Sequence, residues 1–287
     1  MKKSFLFLLV LLLGTLGQAT VILHDTFADG SRLETNLPYE SALYASSPAD
    51  VTVSVGSVRQ AMSTASRRLH TYFADQGSPL GLNVGDKLVA TIEFAPCGAL
   101  YSSTSRNFRF GLFYDPTSPQ HRADNIGDSG VSNSWQDATG YAVQFSLSSG
   151  TASTIQVGKR TDFTVTSLLG TSGAYQWGTG TGGASNLVLD RVYTMTFVLD
   201  YQAADLMQVD FTFMDDYGFS TSASLTDNGL GGKPIYTNFD FLLFRFSAAS
   251  GTADIIDIRS IKIEYIPEPA TLALLGIGGL LAFRRKR

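Results

Sequence analysis

The chain has 287 residues with 21 basic and 25 acidic side chains, a formal charge of −4, three histidines and one cysteine. That balance is wrong for a nucleic-acid binder, which needs a basic surface to displace counterions. Cys97 alone cannot build an intramolecular disulfide framework, so a hydrophobic core must supply the stability; the thiol is either free to pair between molecules or, the commoner case, buried and inert.

The first predicted element is a secretory signal over residues 1–19. Lys2 and Lys3 precede the apolar run Phe5–Leu13, and Gly17-Gln18-Ala19 puts small residues where a signal peptidase reads, with cleavage after Ala19. The apolar run is too short to span a bilayer. A body over residues 20–265 follows. It holds 15 basic and 24 acidic residues, a formal charge of −9, which suits an exterior protein that is soluble or bridged by Ca²⁺.

Along the body, period two dominates. Val51–Val55, Leu88–Phe94, Phe108–Tyr114, Tyr141–Leu147, Thr154–Val157, Tyr193–Tyr201, Met207–Phe213, Phe239–Phe246 and Ile255–Tyr265 are rich in β-branched and aromatic residues, with turn residues between them. Leu147–Thr151 and Asp215–Gly218 read as tight turns. No twelve-residue stretch holds a 3.6-residue period. The expectation is an all-β body of at least nine strands in two packed antiparallel sheets, flanked by a signal helix and a short C-terminal apolar helix. Residues 115–139 and 168–186 are expected as long loops, which in a compact body are more often functional or mobile than idle.

Strand number and body size resemble the concanavalin-like jelly roll of lectins and glucanases. Asp25-Thr-Phe-Ala-Asp-Gly-Ser-Arg32 is similar to an opening strand and turn of that class, and Gly140-Tyr-Ala-Val-Gln-Phe145 to a mid-sheet strand. The resemblance implies a carbohydrate-binding face. Exposed rings stack on sugars, and nearby polar groups take their hydroxyls. Trp135, Asp137 and Tyr141 form one candidate cluster, and Trp177 with Tyr175 another; the bland reading of each is core filling. Calcium is the metal expected, through Asp25, Asp29 and Asp257 if the first and last strands of the body meet; otherwise these acids are turn formers or solvated charges.

Catalytic motifs fail one by one. The glucanases of this class use Glu-x-Asp-x-(x)-Glu on one strand to aim two carboxylates about 5 Å apart into a groove. The nearest string, Asp254 to Glu264, lacks the flanking glutamates, and Asp254 and Asp257 fall on opposite faces of a regular strand. Gly127-Asp-Ser-Gly130 resembles a serine-protease nucleophile segment, but no histidine stands in the matching context. Gly178–Gly183 matches G-x-G-x-x-G without a following helix, and three scattered histidines give no zinc spacing. Ice binding needs regular Thr arrays, which the linear spacing does not supply.

The last element is the most specific. Pro267-Glu268-Pro269 is followed by an apolar run, Ala270–Phe283, and then by Arg284, Arg285, Lys286 and Arg287. These three parts resemble the PEP-CTERM sorting signal, over residues 266–287. The resemblance implies processing by the membrane enzyme exosortase near the tripeptide, with transient residence in the inner membrane. Fourteen helical residues span about 21 Å, short of a hydrocarbon core of roughly 30 Å, and Gly276, Gly278 and Gly279 weaken the helix further. The terminal cations keep their end in the cytoplasm. The expected function is an exported, non-catalytic surface or matrix protein that binds extracellular polysaccharide. The alternative is a polysaccharide hydrolase or lyase on the same fold.

Overall fold

Strict alternation of side chains makes every amphipathic strand choose between a core face and a solvent face, and this chain stacks two such sheets. A computed structural model describes residues 18–62, 65–100, 106, 108–116, 121–126, 135–147, 149–150, 154–170, 172–182, 187–246 and 253–268. The signal run before residue 18, Gly127–Gly130, Pro269, Ala270–Phe283 and the four tail cations lie outside these residues.

The described strands in chain order are β1 (Thr20–Asp25), β2 (Leu43–Ala45), β3 (Val51–Ser54), β4 (Ser57–Ala61), β5 (Arg67–Tyr72), β6 (Leu80–Gly81), β7 (Lys87–Leu100), β8 (Phe108–Tyr114), β9 (Thr139–Phe145), β10 (Gln156–Arg160), β11 (Tyr175–Trp177), β12 (Tyr193–Ala203), β13 (Leu206–Asp215), β14 (Ser220–Asp227), β15 (Asn238–Phe239), β16 (Phe241–Phe246) and β17 (Ala253–Ile266). An eight-stranded sheet runs β14-β13-β12-β7-β17-β4-β3, with β1 also paired to β17. A seven-stranded sheet runs β11-β10-β9-β8-β16-β5-β2, and β15 with β6 makes a small third sheet. All strand pairs are antiparallel. The all-β sandwich expected from the periodicity is therefore the fold. Among the described residues helix is confined to single 3₁₀ turns, and no helix is long and apolar enough to cross a membrane.

The core between the sheets is aromatic. Phe94, Phe108, Phe110, Phe145, Phe197, Phe211, Phe213, Phe244 and Phe246 are at most 1% exposed and meet at centroid distances of 5.0 to 6.3 Å. Each fully buried ring contributes about 1.5–3 kcal/mol by leaving water.

A charge pair is buried at one end of this core. Lys159 faces inward from β10, and both it and Asp227 are fully buried, 2.8 Å apart. Asp227 also accepts from Tyr141 Oη and from the backbone of Gly229 and Leu230, while Lys159 donates to Lys233 O. Such a pair adds little net stability, but stripping one partner leaves an uncompensated charge. Its role is to tie the 227–236 segment to the sandwich end.

Candidate functional site

Alternation decides which predicted residues can meet a ligand. In β9, Gly140 and Ala142 point outward and Tyr141 points into the core, where its hydroxyl donates to Asp227 Oδ2 at 2.7 Å. Trp135 lies on the opposite, outer side of the same sheet and is 1% exposed. Its ring stacks on His121 at 4.0 Å and on Phe241 at 5.3 Å, with His70 edge-on at 5.6 Å. Asp137 is exposed beside it. The expected Trp135–Asp137–Tyr141 cluster is thus divided between the two faces of a sheet, and both rings are spent on packing. Trp177 is half-buried on the edge strand β11, stacked on Tyr175 at 4.9 Å and lying over Gly158, where an added Cβ would come within 2.4 Å of the indole.

The calcium residues do not assemble into one donor set either. Asp25 pairs in register with Ile261, whereas Asp257 lies four residues away on β17, roughly 13 Å along the strand. Asp257 faces Arg59 at 3.1 Å and Arg259 at 3.6 Å. Asp25 accepts from Phe27 N, and burial lifts its carboxyl to about 6. Asp29 instead falls near Glu34 and Glu40, an acidic trio within 4.8 Å in which both Asp29 and Glu34 are exposed. Asp25, Asp29 and Asp257 therefore do not fit Ca²⁺ as a single set.

The outer face of the seven-stranded sheet carries a row of polar side chains that no linear motif announces. The core-facing residues of β8 and β16 bracket one outward arginine each, Phe108-Arg-Phe110 and Phe244-Arg-Phe246. The sheet lays these two tripeptides side by side, with Arg245 in register with Arg109 and, on its other flank, with Arg68. Arg109 is in turn opposite Gln144, and Gln144 opposite Gln156. One transverse row across five strands therefore reads Arg68–Arg245–Arg109–Gln144–Gln156. Arg109 Nη1 donates to Leu169 O and Arg245 Nη2 to Ser66 Oγ.

The two amides are oriented by a carbonyl whose role is unambiguous. Gln156 Nε2 donates to Gly178 O at 3.2 Å, so its Oε1 accepts from Gln144 Nε2 at 3.0 Å. That leaves Gln144 Oε1 turned away from β10, buried and without a hydrogen-bond partner, on a side chain only 2% exposed. An acceptor so placed has lost its water without a replacement, which costs about 1–3 kcal/mol until a donor arrives.

The neighbouring rows of this face are aromatic and small. Tyr44, His70, Leu243, Gly111, Ala142, Gly158 and Trp177 form the next row, and Tyr72, Phe241 and Phe113 the one after. Residues 135–138, 161–170 and 172–174 fold over them, and buried Arg160 pins that cover by donating to Trp135 O, Ala138 O and Val165 O. Beneath it, His70 donates from Nε2 to His121 O, and burial drops its pKa to about 4, so the ring is neutral. His121 Nδ1 pairs with Asp115 Oδ2. Asp240 accepts from Asp115 N, and burial lifts its carboxyl to about 7. These titratable groups are at most 2% exposed and serve as cross-ties under the cover.

The outer face of the eight-stranded sheet differs. Register brings Ser222, Thr212, Thr196 and Thr91 into one row, although nothing in their linear spacing announces it. The flanking rows are mixed: Ser224, Asp210, Val198 and Val89 on one side, Ser220, Met214, Thr194 and Glu93 on the other. A single hydroxyl row is not the two-dimensional array that ice binding requires. At its β14 edge an open groove of about 420 Å³ is lined by Thr181, Asp210, Thr212, Ser222 and Ser224.

The sorting segment leaves the body directly from β17. Asp86 accepts from Tyr265 Oη at 2.7 Å and from Glu268 N at 2.9 Å, which fixes Glu268 beside the Gly85 turn.

Residues 266–287 match the family model of the PEP-CTERM protein-sorting motif. No curated protein matches the chain. Among solved structures, the chain is similar to peanut lectin crystallised with a nine-residue peptide, at 14% identity over 86% of this chain and 97% of that one, TM-score 0.50. It is also similar to arcelin-5, a lectin-like defense protein from Phaseolus vulgaris, at 11% identity over 86% and 98%, TM-score 0.50. At these identities the likeness shows the fold, a concanavalin-like jelly roll. The tail marks the chain as exported and sorted by exosortase to the cell surface or the extracellular space.

Proposed function

We propose that this exosortase-sorted surface protein does no chemistry of its own and holds extracellular polysaccharide on the outer face of its seven-stranded sheet, at the row Arg68–Arg245–Arg109–Gln144–Gln156. The observation that carries the reading is the buried, open acceptor of Gln144 inside a row of planar guanidinium groups. Sugar hydroxyls donate to such an acceptor and accept from such forks. Half-buried Trp177 stands on the adjacent strand β11, one row from Gln156. The sorting tail supports the reading by placing the body where polysaccharide is.

The hydrolase or lyase alternative would look to the Asp115–His121–Asp240 group. Its members are closed over by Trp135 and tied to one another, which suits a structural role better than a substrate cleft.

Glycan-array binding of the exported protein, with and without Ca²⁺, tests the proposal. Binding to at least one polysaccharide, unchanged by Ca²⁺, is expected. Turnover of a bound polymer, or no binding to any, contradicts it.

A further inference from the structure

Asp86 ties the sorting tripeptide to the folded body. Strand β17 pairs with β7 as far as Ile266, opposite Lys87, so the ladder ends at the residue before Pro267. Asp86, which immediately precedes β7, is 3% exposed. Its Oδ2 accepts from Asn83 N at 2.7 Å, from Tyr265 Oη at 2.7 Å and from Asn83 Nδ2 at 3.1 Å. Its Oδ1 accepts from Glu268 N at 2.9 Å. Burial alone would raise this carboxyl, but the hydrogen bonds from Tyr265, Asn83 and Glu268 hold it below its ordinary value, so the acceptor is a carboxylate. The turn that carries it is fixed from behind, with Gly85 N donating to Tyr201 O and Tyr201 N to Asp86 O. Gly85 sits at φ +93°, and a Cβ there would come within 2.5 to 2.7 Å of Glu268 Cγ, Cδ and Cβ. The Glu268 side chain therefore lies flat over the glycine.

We infer that the folded body occludes its own sorting signal, so that release of Glu268 from Asp86 precedes processing by exosortase. This goes beyond the polysaccharide reading and is independent of it; it rests on processing at the tripeptide. An enzyme that takes a peptide segment in extended form holds it by its backbone N–H and C=O groups and by pockets for its side chains. The N–H of Glu268 is spent on Asp86, and its side chain on the Gly85 turn. Only Pro269 separates Glu268 from the apolar run that begins at Ala270. Those two steps cover at most about 7 Å of extended chain, too little for an enzyme cleft to close around between a docked body and the bilayer. Thr20, just past the expected signal cleavage, pairs with Tyr265, so both membrane-directed ends leave from this pole of the sandwich. The rate of processing then scales with the released fraction. Removing a charge-assisted hydrogen bond raises that fraction about tenfold.

Pulse-chase of the full-length precursor in an exosortase-bearing host tests this with wild type, Asp86→Ala and Gly85→Ala. Both variants free Glu268 and are expected to shorten the precursor half-life at least threefold. Val209→Ala weakens the buried core without touching the dock, and it is expected to keep the wild-type half-life. An unchanged or longer half-life in either dock variant overturns the inference, because the enzyme then takes the signal without needing its release. Equal acceleration by Val209→Ala also overturns it, in favour of general unfolding of the body. Conversion at the same rate in a host without exosortase removes the processing step, and the inference with it. A measurement on the unaltered chain decides the matter even if the dock variants fail to fold. In intact precursor purified from a host lacking exosortase, the Glu268 amide is expected to exchange its hydrogen at least tenfold more slowly than in the urea-unfolded chain. Exchange at the unfolded rate would show that no dock exists and overturn the inference.

Discussion

The two outer faces of this sandwich obey one alternation rule and end in opposite conditions. On the eight-stranded sheet the outward residues are hydroxyls, aliphatics and charges of both signs, half-buried or exposed, with each acid free to find a cation, as Asp200 finds Lys87 at 3.0 Å. On the seven-stranded sheet the outward residues are rings, glycines and guanidinium groups, largely withdrawn from water and of one sign. A solvated face needs no cover and tolerates mixture. A face with its own small hydrophobic cluster, covering loops and an open buried acceptor is under different constraints, and that asymmetry is what the proposed binding row rests on.

The largest expected effect comes from the covered half of the built face. Trp135→Ala removes a ring packed between His121, His70 and Phe241 and should cost about 3–5 kcal/mol, lowering the melting temperature by roughly 10 °C or more. Thermal unfolding measures it. A melting temperature within a degree or two of wild type would break the comparison by making this half a surface.

A smaller effect, about 2–4 kcal/mol, is expected from Asp240→Asn, which keeps an oxygen for Asp115 N. Burial holds the Asp240 carboxyl at about 7 in the folded chain against 3.8 as the reference. The folded state therefore binds the extra proton between these values, and the group's contribution weakens stability as pH rises from about 4 to 7. The variant should be more stable than wild type at pH 8 and indistinguishable from it near pH 3.5, as denaturant titrations at the two pH values will show. A constant difference at both would mean that the site is wet.

The smallest effect belongs to the solvated face. Thr196→Val with Thr212→Val should shift stability by no more than about 0.5 kcal/mol per residue, because nothing buried depends on those hydroxyls. A shift several times larger would show that the hydroxyl row is structured after all.

Much of this fold is legible before any coordinates. The nine alternating runs are all strands or strand parts, because residues such as Phe197, Val209 and Ile263 must face a core at every second position. Strand β14, Ser220–Asp227, escaped because it is an edge whose only buried apolar residues are Ala223 and Leu225, too few to rise above its hydroxyls. Strand β11 lies inside an expected loop for the same reason of length. The site was less legible. Trp135 and Tyr141 look like neighbours in sequence, and no linear spacing says that a sheet will stand between them. The arginine row had a signal, the repeated Phe-Arg-Phe at 108–110 and 244–246, each an outward cation between two core rings. What the sequence lacks is the register that sets the two side by side.

Binding of one polysaccharide, measured side by side on wild type, Arg109→Gln/Arg245→Gln and Thr196→Val/Thr212→Val with matched thermal unfolding of each, tests the central claim most directly. The account predicts that the arginine pair loses at least tenfold in affinity and the threonine pair loses nothing. Loss in the threonine pair with retention in the arginine pair would move the site to the groove beside Asp210 and contradict the account.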